Sequence, residues 1–183
     1  TTDEDMADTH TYALVAGTGD TDNGLFFVDN AALKINVKTD FETKSSYSIL
    51  LQVNDGHGGT FNQQFTINVV NVNEDPLIND TTFTVSEVTE INALVGSIQY
   101  SDQDNGDYHT FEFVSGTDVF SLNNLAEITL ISGLDYEVTP AYTFGVVVKD
   151  AGGLADTAQL TILVKDSIEL DSPLPVNKII TPN

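Results

Sequence analysis

Acidic side chains recur along this chain with one period of about 95 residues. Asp40-Phe41-Glu42 returns as Asp135-Tyr136-Glu137, Asp3-Glu4-Asp5 returns as Asp102-Gln103-Asp104, and Asp55 in VNDGHGG returns as Asp150 in VKDAGGL. Between the copies runs Asn71-Val72-Asn73-Glu74-Asp75-Pro76. Carboxylate and amide oxygens grouped in this way suit a hard cation such as Ca2+, which takes about six to eight oxygen ligands. Seven carboxylates are candidates for a site at the junction of the copies: Asp40, Glu42, Glu74, Asp75, Asp102, Asp104 and Asp150. Two unit charges about 5 Å apart repel by about 1 kcal/mol in bulk water and about 3 kcal/mol at an effective dielectric of about 20. A divalent ion reverses the sign of that interaction and can join ligands from both copies, so that its binding free energy becomes stiffness between them.

The elements that must position these groups read as β-strands. Tyr47, Ile49, Leu51 and Val53 alternate with Ser48, Leu50 and Gln52, and Phe65, Ile67 and Val69 alternate with Thr66, Asn68 and Val70. The second copy repeats the pattern with Phe144, Val146 and Val148, then Leu160, Ile162 and Val164. The period is two and not 3.6, and the glycine-rich DGHGG and DAGGL segments read as hairpin turns. Most of the ten Phe and six Tyr residues fall at inward strand positions and are expected in the core. Short strands and turns in units of this size predict two tandem immunoglobulin-like β-sandwiches, an all-β fold. The expected domains are 1–75 and 76–169, with 170–183 as a proline-containing linker or tail.

Alignment of the copies also predicts that the first is incomplete. Residues 2–17 match residues 101–116, but the strand-like stretch from Thr82-Phe83-Thr84-Val85 to Val95-Gly96-Ser97-Ile98 has no counterpart before them. The expectation is that the chain begins inside its first module, that the parent protein extends further N-terminally, and that any signal peptide lies upstream.

Composition narrows the function. The 183 residues carry 28 acidic side chains against six basic ones, a formal net charge of -22. A polyanion such as nucleic acid would be repelled. There is no cysteine, which excludes disulfides, thiolate zinc sites and cysteine nucleophiles. No apolar run has the length of a membrane span, so membrane insertion is not expected.

Catalysis finds little support in the same residues. No Ser, His and Asp grouping suggests a triad, and a carboxylate pair such as Asp40/Glu42 that repeats in both modules is unlike a glycosidase pair, so an enzyme is not expected. His10 and His109 occupy equivalent positions, each flanked by threonine and an aromatic, which points to a shared structural role. In Asp20-Thr21-Asp22-Asn23-Gly24 position five is a glycine and no bidentate glutamate follows at twelve, unlike a helical-hand calcium loop, so the segment reads as a plain loop. Tyr100 and Tyr108 align with Thr1 and Thr9, so these are the two aromatics set apart for stacking on a sugar.

With these residues in place, the chain resembles bacterial cadherin-like repeats across roughly 1–166. The resemblance implies a junction calcium site built from Asp40 and Glu42, the linker residues Asn71, Asn73, Glu74 and Asp75, and Asp102, Asp104 and Asp150 of the second module. It also gives Glu87 as the counterpart of the family's first-strand glutamate. Asp3, Asp5 and Asp55 then form a half-site that a preceding module would complete, and Glu87, Asp135, Glu137 and Asp166 a half-site facing a following one. The linker departs from the family pattern, with Asn71 and Glu74 where Asp is usual and Asp75 where Asn is usual. The tail Asn177 to Asn183 is similar to the opening of a C-terminal domain of surface proteins exported by the type IX system of Bacteroidetes. The implied function is a non-catalytic module of a secreted or cell-surface bacterial adhesin, rigidified by calcium, whose partners are calcium ions and either a surface polysaccharide or another adhesin copy. The alternative is a calcium-dependent carbohydrate-binding module of a polysaccharide-active surface protein.

Overall fold

The computed structural model describes residues 9–167. The calls on Asp3, Asp5 and the 170–183 tail lie outside the described residues. The chain divides into two compact units between Asn73 and Glu74. Both are all-β, and no α-helix occurs among the described residues.

In the first unit, β1 (Thr11–Leu14), β4 (Ser46–Asn54) and β5 (Thr60–Asn68) form one antiparallel sheet in the order β1-β4-β5, and β2 (Phe26–Asp29) pairs with β3 (Ala32–Ile35). The β2–β3 turn holds Asn30 at φ 48° and Ala31 at φ 66°, the two left-handed residues of a tight hairpin. Alternation in β4 buries Tyr47 and Ile49, which meet Phe26 in a small core, and the Phe26 and Tyr47 rings pack edge to face.

The second unit is more complete. Its larger sheet runs β10 (Thr110–Phe113), β13 (Ala141–Lys149), β14 (Ala155–Lys165) and β7 (Thr81–Ser86), the last pair parallel. The facing sheet is β11 (Phe120–Leu122), β12 (Glu127–Leu130) and β8 (Leu94–Ser97), and a short pair joins β6 (Leu77–Ile78) to β9 (Tyr100–Ser101). Val146, Val148, Leu160 and Ile162 from one sheet and Phe120, Ile128 and Leu130 from the other fill the space between them. Those of the larger sheet, Val146, Val148, Leu160 and Ile162, are alternating residues read from the sequence, turned inward by the two-residue period.

The periodicity holds in both units, but its consequence differs. Leu160 on β14 is buried, whereas Phe65, expected inward on β5, is exposed, as is Phe61. Among the described residues the first unit has no strand corresponding to β7 or β8, so its inner face lacks the cover that would bury those rings. The aromatic core expected from the sequence is therefore concentrated in the second unit.

Candidate metal centre

The acidic residues of the second unit are brought together by two loops. Asp102, Asp104 and Asp107 lie between β9 and β10, where Gly106 at φ 88° allows the chain to turn back. Asp150 follows β13 at the head of its hairpin with β14. There its Oδ1 accepts the N–H of Leu154 at 2.8 Å and that of Gly153 at 2.5 Å, which holds the carboxylate over the turn. Carboxylate oxygens of Asp102, Asp107 and Asp150 all lie within 4.8 Å of one another. Asp107 Oδ2 is buried and has no hydrogen-bond partner among the described residues.

Further contacts fix the same loop. Asp102 Oδ1 accepts the N–H of Asp104 at 3.0 Å, and Asp104 Oδ2 accepts the N–H of Glu74 at 2.8 Å. Asp102 Oδ2 lies 2.7 Å from His109 Nε2, both side chains being buried. An ionised carboxylate only accepts, so Nε2 carries the hydrogen of that bond. The structural role expected for His109 is thus the orientation of a candidate ligand, as outer partners of metal-binding carboxylates commonly provide.

The donor set fits calcium. It consists of oxygens alone, and ligands at about 2.3–2.6 Å from one ion can stand up to about 5 Å apart across it. A buried carboxylate oxygen with no partner costs free energy, and a coordinated cation would satisfy it. Asp107 was not among the residues singled out from the sequence. The repeat contained its signal, because Asp8 stands to His10 as Asp107 stands to His109.

The other sequence-predicted residues are placed as follows. In the first unit, Asp40 accepts the N–H and hydroxyl of Thr43 at 3.1 and 3.0 Å, and these bonds lower its pKa from the ordinary aspartate value. Asp135 caps the equivalent turn through the N–H of Val138 at 3.0 Å. Both aspartates therefore have a turn-forming task besides any metal. Glu42, Asn71, Asn73 and Asp75 are exposed, and the linker ends on buried Pro76. Asp55 accepts the N–H groups of His57 and Gly59 at 2.7 and 2.9 Å, with the His57 bond the main cause of its lowered pKa. Glu87 is buried and accepts the N–H of Tyr136 at 2.8 Å and that of Ser167 at 2.5 Å, which together lower its pKa. It thereby comes to the backbone between Asp135 and Glu137, while Asp166 is exposed nearby in sequence.

The loop from Asp20 to Gly24 uses its polar groups inward. Asp22 pairs with Lys44 and accepts the N–H of Ser48, while Asn23 bonds the backbone of Val15 and Leu50. Tyr100 packs against His109 and Phe111 with ring centroids 4.9 Å away in each case, and the Tyr108 hydroxyl accepts from Asn124 at 2.9 Å. Both tyrosines retain exposed surface.

The arrangement of strands has counterparts among solved structures. The chain matches human mucin-like protocadherin EC1-2 with a TM-score of 0.60 at 25% identity, covering 85% of this chain and 84% of that one. It matches human protocadherin-24 EC1-2 with a TM-score of 0.71 at 19% identity, covering 87% and 83%. Both units have the cadherin-like domain fold. Sequence similarity agrees: mouse cadherin EGF LAG seven-pass G-type receptor 2 is 29% identical over 166 residues, and human protocadherin gamma-A6 is 31% identical over 139. These alignments cover 84% and 69% of this chain but only 6% and 15% of those relatives. No family model matches the chain. The relatives named here are cadherins and protocadherins, and no helix among the described residues is long and apolar enough to cross a membrane.

Proposed function

We propose that these tandem cadherin-like domains are a non-catalytic, calcium-binding spacer of a secreted or cell-surface bacterial adhesin. The observation that carries this reading is the cluster of Asp102, Asp107 and Asp150, with one buried carboxylate oxygen lacking a partner. Asp104 and Glu74 extend it toward the linker through their 2.8 Å contact. Asp40, Glu42, Asn71, Asn73 and Asp75 are assigned to the same centre from the repeat pattern of the sequence. Calcium would supply the positive charge that so many carboxylates require, and the residues would supply oxygens from both sides of the linker. The result is a junction that is stiff in a calcium-rich medium and loose without it.

Thermal unfolding with and without the ion tests the reading. The midpoint is expected to rise in millimolar calcium and to fall on addition of EGTA, with a dissociation constant on the order of 10⁻⁵ to 10⁻³ M, the range of extracellular modules. An unfolding curve indifferent to millimolar calcium would refute it.

A further inference from the structure

The pattern Asp-x-Asp-Asn-Gly occurs twice in this chain, as Asp20-Thr21-Asp22-Asn23-Gly24 and as Asp102-Gln103-Asp104-Asn105-Gly106. These segments hold its two Asn-Gly pairs. An asparagine before glycine is prone to lose its side-chain amide, because glycine has no side chain to keep its own backbone nitrogen from the asparagine Cγ. Local sequence gives both pairs that chemistry, and the fold treats them differently.

Asn23 is held. Its Nδ2 donates to the carbonyls of Val15 at 2.8 Å and Leu50 at 3.4 Å, and its Oδ1 accepts the N–H of Leu50 at 2.9 Å. The side chain is half-buried at the head of the 3-10 turn Asn23–Leu25. For Cγ to meet the Gly24 nitrogen, the amide must turn away from these partners, and part-buried backbone groups lose their bonds. Asn105 has no such restraint. It is exposed, and among the described residues neither its side chain nor the Gly106 N–H has a hydrogen-bond partner. Gly106 stands at φ 88° in a turn that the Asp107 N–H closes on the Asp104 carbonyl at 3.3 Å. A Cβ added at Gly106 would meet nothing within 4 Å, and the same is true at Gly24. Space around the glycine therefore does not separate the two pairs; the bonds of the asparagine do.

We propose that Asn105-Gly106 is a self-modifying site, where the asparagine deamidates in the folded protein while the fold keeps Asn23 as an amide. The Gly106 nitrogen bonds to Asn105 Cγ, the Cγ–Nδ2 bond breaks, and ammonia leaves with the proton of the Gly106 N–H. Solvent water then opens the cyclic imide. Cleavage at Cγ gives aspartate at position 105, and cleavage at the former backbone carbonyl gives isoaspartate. Either product adds a negative charge between Asp104 and Asp107. Isoaspartate also adds a methylene to the main chain of the turn that brings Asp107 within 4.8 Å of Asp102 and Asp150. The reaction thus alters the acidic loop of the second unit and spares the same five-residue pattern in the first. It needs only water, so it stands apart from the calcium reading.

The test is incubation of the full chain in EGTA at pH 7.5, folded and in guanidinium chloride, followed over time by peptide mass mapping and by enzymatic methylation of isoaspartate. In the folded chain Asn105 is expected to convert faster than Asn23 by on the order of tenfold or more, the bonds of Asn23 supplying the difference. In guanidinium chloride the two rates are expected to converge. Asn105→Gln is expected to abolish isoaspartate formation in the loop. Equal rates in the folded chain would overturn the proposal, as would an Asn105 that stays an amide while the unfolded chain converts. A difference that persists undiminished in guanidinium chloride would overturn it too, since neighbouring residues and not the fold would then set the rates.

Discussion

Asp107→Asn separates the cost of the acidic cluster from its use. The substitution keeps the size of the side chain, removes one negative charge from the group of Asp102, Asp107 and Asp150, and gives the buried Oδ2 position an amide that can donate. Asp107 repels two neighbours whose nearest ligand oxygens lie within 4.8 Å of its own. Each pair is worth about 0.9 kcal/mol at the dielectric of water and about 3.5 kcal/mol at an effective value of about 20. The gross relief is therefore about 2 to 7 kcal/mol at low salt, with screening lowering it as salt is added. Taking the low end and a shift of about 4–8 °C per kcal/mol for a domain of this size, the variant's calcium-free midpoint is expected to rise by on the order of 8 °C. In calcium the same substitution removes a charged ligand, so the stabilisation gained from the ion should shrink. Differential scanning calorimetry in EGTA and in millimolar calcium, at pH 7.5 and low salt, reads both effects. A variant that is destabilised equally in the two media would refute the reasoning, because Asp107 would then be a packing residue and not a member of a repulsive, cation-ready cluster.

Other outcomes follow from the same geometry. Asp102→Ala and Asp40→Ala are expected to abolish most of the calcium-induced rise in midpoint, whereas Asp135→Ala, in a half-site, should change it little; equal losses in isothermal titration would show that the junction is wrongly assigned. His109→Ala should leave Asp102 without its 2.7 Å partner and weaken calcium affinity by about tenfold or more, measurable by the same titration, while an unchanged affinity would leave His109 a purely structural residue. Asp22 has its pKa lowered from 3.8 by the side-chain hydrogen bond of Lys44 and then by the Ser48 N–H, so its contribution to stability is complete above that value and is lost as pH falls through the lower folded value. The first unit's midpoint should accordingly drop less steeply between about pH 5 and pH 2 in Asp22→Asn than in the native chain, and parallel pH profiles would refute that role.

Much of the fold was legible because its signals are local. A two-residue alternation such as Tyr47, Ile49, Leu51 and Val53 reports strand conformation directly, and DGHGG and DAGGL report turns, as Gly56 at φ 82° and Gly153 at φ 97° bear out. The acidic motifs were visible for a similar reason, since each is a short run that returns at equivalent positions in the second copy. Alternation says which side chains share a face, but not whether anything covers that face. Phe65 and Leu160 occupy the same step of the same pattern, yet only the strand packed parallel to β14 buries one of them.

Sequence by itself determined an all-β tandem of acidic repeats without thiols, because composition and periodicity act residue by residue. Tertiary structure decided which carboxylates meet. The place of Asp107 beside Asp102 and Asp150 depends on a loop and a hairpin that are some forty residues apart in the chain. The bond of His109 to Asp102 depends on the path of that same loop from β9 to β10. Such meetings depend on strand register and loop path, which are settled only when many weak long-range contacts form together.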